Sequence, residues 1–316
     1  WVDRPGIEVV AAEEKNKLTV KVAPDAAPGV CWIRLYDDEG ATSPRPFVVG
    51  TLPEILESEP NDDRMKPQAL ESSTAVVNGR LEKSGDVDTF AVPLRTGQTL
   101  VASIDANRTF GSPVDASLQI VSPTGFVLAQ NDDYHDLDPQ IVFTAPADGS
   151  FLVRTFGFPA TPTSTIGFAG GDDFVYRLTI TTGGILDYVI PLAVRAPAAS
   201  TEHAQAADHS PSSVELFGWN IPDVAKIVPL GLDGSTSAVA VWHPDVAGTA
   251  SVRLEPHNAI VEQEPNGRDA AQPVSLPITI TGRIDPRRDV DSYQFAAKKG
   301  DKVYFRAESR SLGFPL

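Results

Sequence analysis

The chain has 316 residues, more than one small domain needs and enough for about two to four. Its 26 Lys and Arg against 42 Asp and Glu leave a formal charge of −16, which excludes nucleic acid as a partner because phosphates are repelled. With 41% hydrophobic and 22% charged residues wholesale disorder is excluded, and 24 glycines with 27 prolines exclude long helices.

Taken along the chain, the pattern is one of strands. Leu18, Val20 and Val22 alternate with polar residues, and a Pro-Gly-Val turn leads into the strand-like run Trp32 to Tyr36. Leu100, Ala102 and Ile104 alternate in the same way, as do Phe151 with Val153 and then Tyr176, Leu178 and Ile180. Turn clusters at Pro123-Thr124-Gly125, Ala147-Asp148-Gly149 and Gly170 to Asp173 separate these runs at sandwich-like spacing. The apolar run Ile185 to Val194 holds Asp187 and is far shorter than the roughly 20 residues of a membrane helix. Residues 196–213, rich in Ala, Ser and His, lack alternation and are expected to form an exposed loop. Trp32, Trp219 and Trp242 lie in or beside strand-like runs and are expected to anchor cores. The single cysteine, Cys31, excludes an internal disulfide framework, and no signal peptide is visible at the start.

A repeat organises these elements. Glu57-Ser58-Glu59-Pro60-Asn61 recurs 205 positions later as Glu262-Gln263-Glu264-Pro265-Asn266, and Asp86-Val87-Asp88-Thr89-Phe90 recurs 203 positions later as Asp289-Val290-Asp291-Ser292-Tyr293. Asn78-Gly79-Arg80-Leu81 likewise matches Thr281-Gly282-Arg283-Ile284, and the last motif, from Arg108, reappears from Arg310. The segments before each copy also correspond, so two module types alternate. The expected domains are a first module at 1–52 lacking its opening strands, a complete sandwich at 53–183, a second copy of the first module at 184–258, and half of a second sandwich at 259–316. That half is expected to pack on a neighbouring module or chain, or to be poorly ordered.

The densest chemistry lies at Glu57, Glu59, Asn61 and Asp62, followed by Asp86 and Asp88 in a Gly-Asp-Val-Asp turn. Carboxylates crowded this closely repel one another unless a cation sits among them, and calcium takes six to eight oxygens of these kinds. The alternative is a solvated acidic linker. Glu262, Glu264, Asn266, Asp289 and Asp291 repeat the pattern as a weaker second site, with Gly267 in place of Asp62. A further acidic loop, Asn131 to Asp136, is expected to be a polar hairpin loop. The five histidines show no metal-ligand spacing, and no nucleophile elbow or phosphate loop is present, so no catalytic residue is expected. A glycosidase-like carboxylate pair in one turn is disfavoured by geometry.

Glu-x-Glu-Pro-Asn, Gly-x-Leu/Ile, Asp-x-Asp-x-Phe/Tyr, then Ala147-Asp148-Gly149-Ser150-Phe151 and a closing Tyr176-Arg177-Leu178 together resemble the bacterial pre-peptidase C-terminal domain, over about residues 57–182 and again from 262 to 316. That resemblance implies a jelly-roll-like, all-β sandwich that accompanies exported enzymes without being catalytic. It also implies calcium held by Glu57, Glu59, Asn61, Asp62, Asp86 and Asp88, as in the related collagen-binding domains of clostridial collagenases. The other module, through Val214 to Asn220 and the turn before Trp32, resembles immunoglobulin-like domains of the IPT/TIG sort. Their alternation resembles large exported proteins of planctomycete-type bacteria and implies an extracytoplasmic setting. The expected function is a non-catalytic, calcium-stabilised module array that binds a protein or polysaccharide surface; a pure spacer array and an enzyme are the alternatives.

Overall fold

The computed structural model describes residues 1–14, 17–162, 167–197, 211–232, 237–309, 312 and 314. Most of the predicted loop at 196–213, together with His203 and His209, lies outside the described residues, as do Arg310, Ser311, Gly313, Pro315 and Leu316 of the last repeated motif. The regular secondary structure of the described residues is almost entirely strand, with one four-residue helix, Asn107–Phe110, and two short 3-10 turns. None of its helices is long and apolar enough to cross a membrane. It divides into two units, 1–185 with 309–316, and 186–308.

In the first unit two five-stranded sheets enclose one core. One sheet runs in the order Val127–Asn131, Val114–Val121, Gly149–Pro159, Asp88–Leu94, Gln68–Ala69. The other runs Gln140–Thr144, Thr99–Asp105, Val175–Thr181, Ala75–Arg80, Glu54–Leu56. Pairings are antiparallel except at one edge of each sheet, where Glu54–Leu56 lies parallel to Ala75–Arg80 and Gln68–Ala69 parallel to Asp88–Leu94. The sequence alternation explains which residues face inward, because successive side chains of a strand point to opposite sides. Phe90, Val92, Leu118, Ile120 and Val153 of one sheet meet Leu100, Ile104, Leu178 and Ile180 of the other in a single buried cluster. Each such side chain stabilises the fold by about 1.5–3 kcal/mol on full burial. Residues 1–50 add two antiparallel pairs, Ile7–Ala11 with Leu18–Val22 and Gly29–Ile33 with Arg45–Val49.

The second unit carries a six-stranded sheet in which Val246–Glu255 is flanked by Ala193–Arg195 and Gly184–Ile190, then Ser213–Trp219 and Ile227–Pro229, with Ala238–His243 also paired to Val246–Glu255. Its core is Leu186, Val189, Val194, Val214, Leu216, Val241, Val246, Val252 and Leu254. Beyond it the two parallel edge pairings of the first unit recur: Asn258–Val261 with Ile278–Thr281, and Gln272–Pro273 with Tyr293–Gln294. Individual hydrogen bonds recur with them. Glu57 N–H donates to Asn78 O at 3.0 Å and Glu262 N–H to Thr281 O at 2.9 Å; Leu70 N–H donates to Ala91 O at 2.9 Å and Val274 N–H to Gln294 O at 2.8 Å. The sequence repeat is therefore a repeat of backbone structure up to Gln294. After it the copies diverge: Val101 and Ala102 are fully buried, whereas Tyr304 and Phe305 at the corresponding positions are 88% and 76% exposed.

The tryptophan expectation is corrected. Trp32 is 41% and Trp219 42% exposed, while Trp242 is half-buried. Strand alternation is the reason. Cys31 takes the inward place beside Trp32, and Val214 and Leu216 take the inward places that put Trp219 on the outer face.

Candidate metal centre

Two backbone features set up the acidic cluster. After the edge strand Glu54–Leu56 the chain passes Glu57 and Glu59 along the end of Ala75–Arg80, and the turn before Asp88–Leu94 delivers Asp86 and Asp88 beside them. Asn61 ties the first segment together: its N–H donates to Glu59 Oε2 at 2.8 Å and its Nδ2 to Glu57 Oε1 at 3.1 Å. Asp62 Oδ1 accepts from the Val87 N–H at 3.1 Å and so joins the two segments. Asp86 Oδ2 accepts from the Glu82 N–H, and Asp88 Oδ2 accepts from the Tyr176 hydroxyl at 2.6 Å.

The structure thus brings together all six residues singled out in the sequence. Glu57, Glu59 and Asp88 bring carboxylate oxygens within 4.8 Å of one another, and so do Glu59, Asp62 and Asp86, with Glu59 common to both groups. Asn61, Asp86 and Asp88 are fully buried. Four buried oxygens, Glu59 Oε1, Asn61 Oδ1, Asp86 Oδ1 and Asp88 Oδ1, have no hydrogen-bond partner. Buried polar atoms are nearly always satisfied, and four acceptors left over in one place form a donor set for a cation. With oxygen ligands alone, it suits calcium or another hard ion. The residues fit the predicted ion.

Electrostatics agree. Burial pushes Asp88 up to about 8, with the charges of Glu57, Asp86 and Glu59 adding to it against the Tyr176 hydrogen bond. Burial likewise pushes Asp86 up to about 6 and raises Glu57. Asp62 goes the other way: although desolvation opposes it, the Val87 N–H, Asp86 and Lys83 hold its carboxyl below the usual range. Without a positive charge among them these groups resist ionising together. Lys83, exposed at the rim, lies 3.5 Å from Asp62 and 3.7 Å from Asp86.

The second copy reproduces part of this. Asn266 N–H donates to Glu264 Oε2 at 2.8 Å and its Nδ2 to Glu262 Oε2 at 3.4 Å. Glu262, Glu264 and Asp291 converge within 4.8 Å, the counterpart of Glu57, Glu59 and Asp88. Asn266 Oδ1 and Asp291 Oδ1 are buried without partners. Asp289 does not join this group; its carboxylate accepts from the Asp285 and Val290 N–H groups instead. Gly267 in place of Asp62 removes the carboxylate that would have completed a second group. The turn differs too, since Gly85 has φ 89° whereas Arg288 at the same place is held at φ 77°, a conformation that a side chain disfavours.

Sequence reasoning missed Tyr176 as part of the site. It lies 88 residues from Asp88 in chain order and reads as one more core position of an alternating strand. Gly79 is the local signal that accompanies it, because a Cβ there would run into the Tyr176 ring; at Gly282 it would run into the Glu262 carboxylate. The loop Asn131 to Asp136 contributes to no convergent group among the described residues. It is tied to the neighbouring strands, with Asn131 Oδ1 accepting from the Gln140 N–H at 3.0 Å and Asp132 Oδ1 from the Ser117 hydroxyl at 2.7 Å.

Comparison with known proteins bears on one part of the chain. Residues 86–157 match the family model of the bacterial pre-peptidase C-terminal domain. The match takes in Asp86 and Asp88 but neither Glu57 to Asp62 nor Tyr176. Among curated proteins none matches the chain. Among solved structures, the pre-peptidase C-terminal domain of a collagenase from Bacillus anthracis is similar at 11% identity, covering 39% of this chain and 99% of that one with a TM-score of 0.28. A periplasmic inhibitor of g-type lysozyme from Aeromonas hydrophila is similar at 14% identity, covering 40% and 99% with a TM-score of 0.26.

Proposed function

We propose that the chain is a non-catalytic array of β-sandwich modules from an exported protein, that calcium stabilises it, and that it binds a protein or polysaccharide surface. One observation carries the calcium reading: four buried oxygens without donors converge where Glu59, Asn61, Asp86 and Asp88 meet. Glu57, Glu59, Asn61, Asp62, Asp86 and Asp88 hold the first ion, and Glu262, Glu264, Asn266 and Asp291 hold a weaker second one, with Asp289 supporting its turn. The ion ties the segment before the sandwich to the turn before Asp88–Leu94, so it braces the entry of the chain into the module. Support for a non-catalytic, extracytoplasmic role comes from the family match at 86–157. The domain boundaries at 52, 183 and 258, and an immunoglobulin-like character for the second unit's sheet, belong to the same reading.

The test is thermal unfolding in calcium and in chelator. A ligand that binds only the folded state stabilises by about 2.7 kcal/mol at a hundredfold excess over its Kd. Calcium raises the melting temperature, chelator reverses it, and Asp88→Ala abolishes the difference. Superimposed melts for the unaltered chain in both conditions overturn the proposal.

A further inference from the structure

The two copies of the acidic cluster differ in where a phenol stands. In the first, Tyr176 reaches Asp88 from the opposite sheet, while Phe90, at the place of Tyr293, is fully buried in the core and has no polar atom to offer. In the second, the hydroxyl comes from Tyr293 itself, two residues after Asp291, and donates to Glu262 Oε2 at 3.2 Å. Asn266 Nδ2 donates to the same oxygen, and the Arg283 N–H donates to Glu262 Oε1. Among the described residues three donors thus converge on this carboxylate. Its counterpart Glu57 has two, Asn61 Nδ2 at 3.1 Å and the Arg80 N–H at 3.4 Å.

The extra donor meets a local need. The amide bond from Asn266 to Glu262 is 3.4 Å, longer than the 3.1 Å from Asn61 to Glu57, and Gly267 has no carboxylate to join the two segments as Asp62 does. Gly282 keeps space beside Glu262, since a Cβ there would run into the carboxylate. An ionised carboxylate has about four acceptor sites, so three donors fix Glu262 and still leave one site for an ion. Asn266 is fully buried and bonded to both glutamates, yet its Oδ1 lacks a partner, as does Asp291 Oδ1, so oxygens remain for a ligand after these donors are satisfied.

We propose that Tyr293 is the positioning residue of the second cation site, its hydroxyl holding Glu262 toward Glu264, Asn266 and Asp291 as Tyr176 holds Asp88 in the first. The second site is then self-contained: its ligands and its orienting donor all lie between Glu262 and Tyr293, whereas the first draws on residues from Glu57 to Tyr176. A carboxylate held in place beforehand loses less freedom when it binds, and affinity for a hard cation depends on site rigidity as well as on charge. The inference rests on the reading of Glu262, Glu264, Asn266 and Asp291 as calcium ligands.

Calorimetric titration of the full chain with calcium, which separates a tighter from a weaker phase, tests this. Tyr293→Phe, which gives the second copy the side chain of the first, weakens the second phase by about fivefold or more and leaves the first unchanged. Tyr176→Phe does the reverse. Melts in chelator check that each variant folds. Should Tyr293→Phe fail to fold, 4-aminophenylalanine and 4-methylphenylalanine incorporated at position 293 carry the comparison, because they fill nearly the same space and only the first keeps a donor. The amino form retains the second phase and the methyl form weakens it, a difference that ring packing does not produce. An unchanged or tighter second phase in Tyr293→Phe, equal weakening of both phases, or equal affinity of the amino and methyl forms overturns the inference and leaves the calcium reading standing. A titration of the unaltered chain without a second phase overturns the reading of the second site, and the inference with it.

Discussion

Tyr176 donates its hydroxyl hydrogen to Asp88 Oδ2 at 2.6 Å, which orients the carboxylate and leaves Oδ1 facing the acidic cluster without a partner. The two residues come from different sheets, so the sandwich itself sets the ligand's angle. Tyr176→Phe keeps the ring in its buried place and removes only the donor. A lost hydrogen bond to a buried charged group costs about 1.5–3 kcal/mol, so calcium affinity falls by about tenfold or more. Isothermal titration measures it; an unchanged binding curve shows that the tyrosine does not orient the ligand.

Calcium stabilisation should grow with pH. Asp86 at about 6 and Asp88 at about 8 hold protons in the folded, metal-free protein that the unfolded chain has already released. Because the folded state binds more protons, metal-free stability falls as pH rises from about 4 through about 8. Calcium competes with those protons and gains where they leave. The gap in melting temperature between calcium and chelator is therefore small at about pH 5 and large at about pH 8.5. A gap that is constant across this range would count against Asp86 and Asp88 as ligands.

The two sites fill in order. Among the described residues the first copy offers two convergent groups sharing Glu59, the second only Glu262, Glu264 and Asp291. Fewer carboxylates mean weaker attraction for a divalent ion. In a titration the tighter phase disappears in Asp62→Ala and the weaker phase in Asp291→Ala. The reverse assignment of phases would invert the ranking.

Arg288 carries a local strain that its counterpart Gly85 avoids. Replacing it with glycine relieves a left-handed backbone at a cost of unfolded-chain entropy, for a net gain of about 0.5–1 kcal/mol. The opposite exchange, Gly85→Ala, destabilises the first site's turn by a similar amount. Paired urea unfolding curves read both effects, and an upward shift of the midpoint for Gly85→Ala would contradict the account.

What the sequence determined by itself was local or repeated. Alternation marked Leu100 to Ile104 and Tyr176 to Ile180 as strands, because a half-buried sheet imposes period two on neighbouring residues. The recurrence of Glu57 to Asn61 and of Asp86 to Phe90 marked the modules and the oxygen-rich cluster, because the same backbone needs the same side chains at both places. Tertiary structure decided what depends on elements distant in the chain. Only the packing of the two sheets puts Tyr176 against Asp88, and only strand pairing places Arg154 between Gln119 and Thr89. Which side of a strand faces the core was decided there as well. A two-residue period fixes that Cys31 and Trp32 point to opposite faces, but it is the cover supplied by the rest of the fold that makes one side the interior and leaves Trp32 outside.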